Sequence, residues 1–193
     1  MSEMAMELEM QTPQDLYASL MAARRGDPVE DILARILATW SFGKGGMPEW
    51  LGLGMAGFHA LMQRHFPGFS AAQLGTTCRP FDMQRADEMA DLRKLLMENR
   101  TSHSEQEALM AEIVIAGSMG EDHLWQDLGL WNRSELTKLM NDYFQPLAQR
   151  NDKDMKWKKF LYKQLCETEG IYTCRSPSCE VCADYLHCFG PEE

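Results

Sequence analysis

Four cysteines lie within the last twenty residues of the chain, and they constrain its fold more than any other feature. Cys174, Cys179, Cys182 and Cys188 follow the pattern C-x4-C-x2-C-x5-C, which places four thiols within fifteen residues. From Gly170 onward the sequence has no sustained helical periodicity, so hydrophobic burial alone would hardly order this segment. Bonds from thiolates to a metal can order it, because the free energy of metal binding then serves as free energy of folding. The pattern predicts a metal site on these four cysteines.

The spacing of the thiols distinguishes between kinds of metal site. A structural zinc site usually joins two close pairs of ligands across a longer loop, and only Cys179 and Cys182 form such a pair. Iron–sulfur clusters spread their ligands over several metal atoms and commonly use grouped cysteines with unequal spacers. Disulfides are disfavoured because the cytosol keeps thiols reduced. The pattern therefore favours an iron–sulfur type of cluster, and structural zinc is the alternative.

The composition indicates a cytoplasmic protein. The first ten residues contain three glutamates and no basic residue, unlike a secretory signal, and no stretch approaches the roughly 20 apolar residues that span a bilayer. A formal net charge of -10 argues against nonspecific binding to nucleic acid or anionic membranes, since both require Lys and Arg to neutralise phosphates. With 193 residues the chain can bury one core. We expect a helical domain over 1–169 and a cysteine-rich, metal-ordered tail over 170–193.

Helix signals recur through the body of the chain, whereas strand signals are nearly absent, so the predicted fold class is all-α. Thr12 before Pro13 and Asp27 before Pro28 each place a capping side chain ahead of a proline, which predicts two helix starts. Asn132 is expected to cap a third helix, whose apolar positions continue to residue 147. Further helices are predicted over about residues 51–65, 82–99, 104–117 and 152–168.

Two stretches of the C-terminal half resemble the nitrogen-fixation family NifQ. One consists of residues 157–160 (WKKF), Cys166 and the cysteine pattern up to Gly190, and the other is residues 123–130 (HLWQDLGL). The resemblance implies a molybdenum donor for assembly of the iron–molybdenum cofactor of nitrogenase. It also implies a molybdenum–iron–sulfur cluster (iron, molybdenum and sulfide) on the four cysteines. The implied partners are nitrogenase cofactor assembly proteins and a source of molybdenum such as molybdate.

Other functions stay open on the residues alone. A zinc-stabilised interaction module would use the tail to shape a docking surface, whereas a one-electron carrier would cycle a cluster between redox states without transferring metal.

An enzyme is not expected, because acids and histidines are scattered at spacings that helical periodicity explains. The G-x-G-x-x-G sequence at 52–57 follows a loop rather than a strand, so it does not predict a dinucleotide site.

Two further residues have both a functional and a structural interpretation. His123 is a candidate extra metal ligand by the resemblance, but a histidine also commonly hydrogen-bonds at a helix end. Cys166 could supply a spare thiolate during loading or release, or it could pack as a small apolar side chain.

A third candidate is a set of lysines expected on one helix, which could dock an acidic partner or attract molybdate. A solvated helix face is the plainer interpretation. The set comprises Lys153, Lys156, Lys158, Lys159 and Lys163.

Overall fold

Every regular element that the structure describes is helical. The computed structural model describes residues 12–75, 85–168 and 185–190, and for these residues the all-α prediction is confirmed. No helix within those ranges combines the length and apolar character that a membrane span requires. In chain order the α-helices are α1 (Pro13–Ala22), α2 (Val29–Ser41), α3 (Gly54–His65), α4 (Ala86–Glu98), α5 (Glu105–Ser118), α6 (Leu124–Asp127), α7 (Arg133–Tyr143), α8 (Gln145–Ala148), α9 (Trp157–Thr168) and α10 (Tyr185–Phe189).

The predicted caps account for where the first two helices begin. The Thr12 hydroxyl accepts a hydrogen bond from the Asp15 amide at 3.2 Å, and the Asp15 carboxylate accepts one from the Thr12 amide at 3.1 Å. This reciprocal capping box satisfies amides that a helix start would otherwise leave unpaired. The Asp27 carboxylate likewise accepts from the Val29 amide at 3.1 Å, and α2 begins there, one residue later than predicted.

Two of the predicted helices whose bounds differ from the structure have an identifiable cause for the difference. The helix capped by Asn132 ends at Tyr143, and α8 follows it, because Pro146 has no amide hydrogen with which to continue the ladder. The helix predicted from residue 152 begins only at Trp157. Asp154 has a φ of 52°, which a regular α-helix cannot contain, so the helix starts after it.

The core lies between paired helices. α1 packs against α2, and α4 packs against both α5 and α9. α2 turns the predicted stripe inward, with Leu33, Ile36 and Leu37 fully buried. α5 is the central helix, because residues 113–118 are buried without a break and no face of that stretch is left to solvent.

A buried carboxylate holds the start of this central helix. Glu107 is 2% exposed and accepts hydrogen bonds from the Ser102 amide at 2.7 Å, the Ser102 hydroxyl at 2.8 Å and the Ser104 amide at 3.0 Å. Burial raises the pKa of Glu107, but these hydrogen bonds outweigh burial and bring the pKa below its usual 4.5. The ionised side chain therefore stabilises the fold.

We expect Glu107→Gln to lower the free energy of unfolding at neutral pH by about 1–3 kcal/mol, because a buried amide cannot accept all of these bonds. A carboxyl whose pKa is lowered on folding contributes stability above its unfolded pKa, and this contribution is lost as the pH falls through its folded pKa. In urea unfolding, the difference between the variant and the wild type should therefore shrink below pH 4.5.

The matched control is Glu105→Gln in the same turn, where the side chain is 83% exposed and little effect is expected. A difference between Glu107→Gln and the wild type that stays constant from neutral to acidic pH would contradict this account.

Candidate metal centre

One of the four predicted ligands lies within the described part of the chain. Cys188 is on α10, whereas Cys174, Cys179 and Cys182 lie outside the described residues, as does Cys78. Among the residues that are described, no three His, Cys, Asp or Glu side chains are close enough to hold a metal ion. The four-cysteine site thus stays a prediction, and the structure adds the position of its last member.

Cys188 is docked against the helical body. It is half-buried and packs with Phe189 against the core, and its carbonyl accepts a hydrogen bond from the Lys156 amide at 2.9 Å. The Gly190 amide donates to the Leu186 carbonyl at 2.8 Å, and a Cβ at Gly190 would lie 2.3 Å from that oxygen. A glycine is therefore required where the cysteine pattern ends, and the pattern ends beside the start of α9.

Cys166 lies at the other end of α9. Cys166 is ten positions after Lys156, which directly precedes α9, and this corresponds to about 15 Å along the helix axis at 1.5 Å per residue. It is half-buried, and Cys188 lies beside the opposite end. This separation argues against Cys166 as an additional thiolate on the centre that Cys188 would ligate.

His123 occupies a structural position at the start of α6. It is the N-cap residue, and its amide donates to the Gln126 side chain at 3.2 Å. It is half-buried. This geometry supports the structural interpretation of His123.

A buried ion pair joins the two stretches on which the resemblance rests. Asp127, at the end of α6, is 2% exposed, and its carboxylate accepts a hydrogen bond from the ammonium group of Lys158 in the first turn of α9. The same ammonium group donates to the Gly120 carbonyl at 2.8 Å. Burial raises the pKa of Asp127, and the Lys158 charge opposes that rise only in part.

Two glycines make room for the Asp127 side chain. A Cβ at Gly46 would lie 2.1 Å from one carboxylate oxygen, and a Cβ at Gly120 would lie 2.3 Å from the same oxygen. The Gly46 amide also donates to the Asp127 carbonyl at 2.8 Å. The loop before α3, the turn after α5 and the first turn of α9 therefore meet at one carboxylate.

The prediction that five lysines share one helix is wrong. Lys153 and Lys156 precede α9. Lys158 is directed into the protein with its side chain 17% exposed, and the Lys163 ammonium lies 3.7 Å from a carboxylate oxygen of Glu167.

The sequence patterns do not identify Asp127 as a functional residue. Its one signal is an acidic side chain between apolar residues of the 123–130 stretch.

Comparison with known proteins assigns the chain to a protein family. A protein-family model described as NifQ matches residues 32–190. The chain belongs to the NifQ family. Protein NifQ of Azotobacter vinelandii is 41% identical over 191 residues, which cover 89% of this chain and 97% of that protein. Protein NifQ of Klebsiella pneumoniae is 36% identical over 178 residues, which cover 84% and 99%. No solved structure matches the chain.

Membership of the NifQ family confirms the resemblance and the function that it implied. The chain is a molybdenum donor for biosynthesis of the iron–molybdenum cofactor in nitrogen fixation, and it is a metal carrier rather than an enzyme. The matched region contains all four cysteines of the pattern, together with Asp127 and Lys158.

The glycine environment of Asp127 gives a direct test of this geometry. We expect Gly46→Ala to lower the free energy of unfolding by about 1–3 kcal/mol, because the added methyl group overlaps a buried carboxylate that has no room to move. Chemical denaturation measures the change. The control is Gly68→Ala, where the new Cβ would meet Ala23 at an ordinary 3.6 Å. Equal unfolding midpoints for the two variants would show that the Asp127 site is not closely packed.

Proposed function

We propose that this NifQ-family chain holds a molybdenum–iron–sulfur cluster on Cys174, Cys179, Cys182 and Cys188 and passes molybdenum to nitrogenase cofactor assembly proteins. The observation that carries the proposal is the complete C-x4-C-x2-C-x5-C pattern inside the region that matches the family. A cytoplasmic location and the loading of molybdenum from molybdate belong to the same proposal.

The chemistry of the donor set fits this cargo. Thiolates are soft ligands that suit iron–sulfur cores, and a sulfur-rich cluster can hold molybdenum beside iron. Thiolate ligation also makes metal binding a source of folding free energy for a segment with little apolar material of its own. Four cysteines of unequal spacing thus supply both the ligands and the reason for the segment to order.

The position of Cys188 supports transfer of the cargo to another protein. Its side chain is half-buried at the edge of the core, and Leu186 on the same short helix is 72% exposed. A ligand at the protein surface can be approached by an acceptor, whereas a ligand in the centre of the core would require the body to unfold first. This position favours a carrier over a purely structural site.

The deciding measurement is metal content. We expect anaerobically purified protein to contain iron, molybdenum and acid-labile sulfide, and a variant with Cys179 and Cys182 both changed to Ala to lose all three together. The matched control changes Cys78 and Cys166 to Ala, which removes the same number of thiols outside the pattern, and it should keep its metal.

Different metal contents would identify the rival functions. Zinc without sulfide would overturn the cluster and leave a zinc-stabilised interaction module. Iron and sulfide that cycle between redox states, without release of molybdenum to apo-acceptor, would indicate a one-electron carrier.

We expect His123→Asn to retain the molybdenum content and thermal stability of the wild type, because asparagine is also a favourable N-cap residue. Metal quantification and a thermal melt of the full-length variant test this. Loss of molybdenum with an unchanged melting temperature would instead assign His123 as a metal ligand.

A further inference from the structure

We propose that the buried ion pair between Asp127 and Lys158 positions Cys188, the last cysteine of the predicted metal site, because it fixes the first turn of α9 and hence the Lys156 amide, which donates a hydrogen bond to the Cys188 carbonyl. Lys158 and Asp127 are positioning residues, since neither is a predicted ligand. Only the expected effect on the metal rests on the proposed function. The ion pair and the hydrogen bond from Lys156 to Cys188 lie within the protein, so their coupling can be tested without metal.

The Asp127 side of the pair is fixed. Its amide donates to the His123 carbonyl at 2.9 Å, its carbonyl accepts from the Gly46 amide at 2.8 Å, and its carboxylate fills the space that Gly46 and Gly120 leave open. A carboxylate held on this many sides cannot follow a moving partner. Any displacement on loss of the pair therefore falls on α9.

The Lys158 side of the pair controls the Cys188 contact. Lys158 is two residues from Lys156, so a shift that removes Lys158 from Asp127 also displaces the Lys156 amide. That amide donates to the Cys188 carbonyl at 2.9 Å. A short path of bonded and hydrogen-bonded atoms therefore connects the buried carboxylate to the last cysteine of the pattern.

Apolar packing alone does not set this geometry as sharply. Trp157, Phe160 and Leu161 bury the inner face of α9 in the core. Apolar contacts are not directional, so they constrain the rotation of a helix about its axis less sharply than a paired charge does. A buried charge needs its counter-charge in one place, so the ion pair selects the rotation and register of α9 at its first turn.

The first test uses metal-free, full-length protein and amide hydrogen exchange. Lys158→Met keeps the apolar stem and removes the charge, and Lys163→Met makes the same change on the same helix, where the side chain is 45% exposed. We expect faster exchange of the Lys156 amide and of residues 185–190 in Lys158→Met only. Unchanged exchange in Lys158→Met would overturn the proposal, whatever the metal content of the wild type.

The second test measures the consequence at the metal. Loaded Lys158→Met should lose iron and molybdenum to a chelator about 10-fold faster than the wild type, the lower end of the loss seen for outer-shell partners of metal ligands. Lys163→Met should match the wild type. A wild type that holds no iron or molybdenum would refute the proposed function, while the exchange experiment would still decide whether the ion pair positions Cys188.

Two further variants separate positioning from general destabilisation. Leu20→Ala removes a fully buried side chain from α1, whose main packing partner is α2, and so lowers stability mainly away from α9. Equal metal loss in Leu20→Ala and Lys158→Met at matched melting temperatures would overturn the proposal.

The double variant Asp127→Asn with Lys158→Met has neither buried charge. It should therefore have a higher melting temperature than Lys158→Met, while its Lys156 amide still exchanges fast. Asp127→Asn alone replaces Lys158→Met if the latter does not fold.

Discussion

The carboxylate of Asp127 is the point on which the arrangement of this protein depends. A charge that is 2% exposed is costly unless an opposite charge and hydrogen bonds surround it, and here Lys158 supplies the opposite charge and the Asp122 backbone amide donates a hydrogen bond. Removing one partner of a buried pair typically costs about 3–5 kcal/mol, a large part of the free energy that holds a domain folded. The glycines beside Asp127 follow from this constraint, because any larger residue would occupy the space of the carboxylate.

Local signals in the sequence determined much of the helical body. The Thr12 capping box and the Asn132 cap are interactions between residues three apart, so they are legible without knowledge of the fold. The sequence pattern places the start of α9 too early, because the residues just before Trp157 continue the spacing of apolar and basic side chains that is typical of a helix. There the Asn151 side chain bonds the amide and carbonyl of Met155 instead, at 2.8 and 2.9 Å, and Asp154 takes a positive φ.

The metal site and the ion pair differ in how far a sequence can reveal them. The four cysteines lie within fifteen residues, so their convergence follows from proximity along the chain. Asp127 and Lys158 are 31 residues apart, and nothing in the spacing of either residue announces the other. Lys158 belonged to an apparent patch of lysines, and only the tertiary structure distinguishes the one that is directed inward. Ion pairs formed by tertiary packing therefore cannot be predicted from the spacing of residues along the chain.

A metal donor has to hold its cargo and also give it up, and the placement of Cys188 bears on both. One end of the cysteine pattern is hydrogen-bonded to the helical body and packs against its core, which lowers the entropy that would be lost when the thiolates gather around metal. In the proposed function, the rest of the pattern has little apolar material, so metal binding supplies the free energy that orders it. Release of metal would forfeit that free energy, and an acceptor that binds the emptied segment would offset the loss. The proposal thus makes release favourable only when the acceptor is present, which is the behaviour that a donor requires.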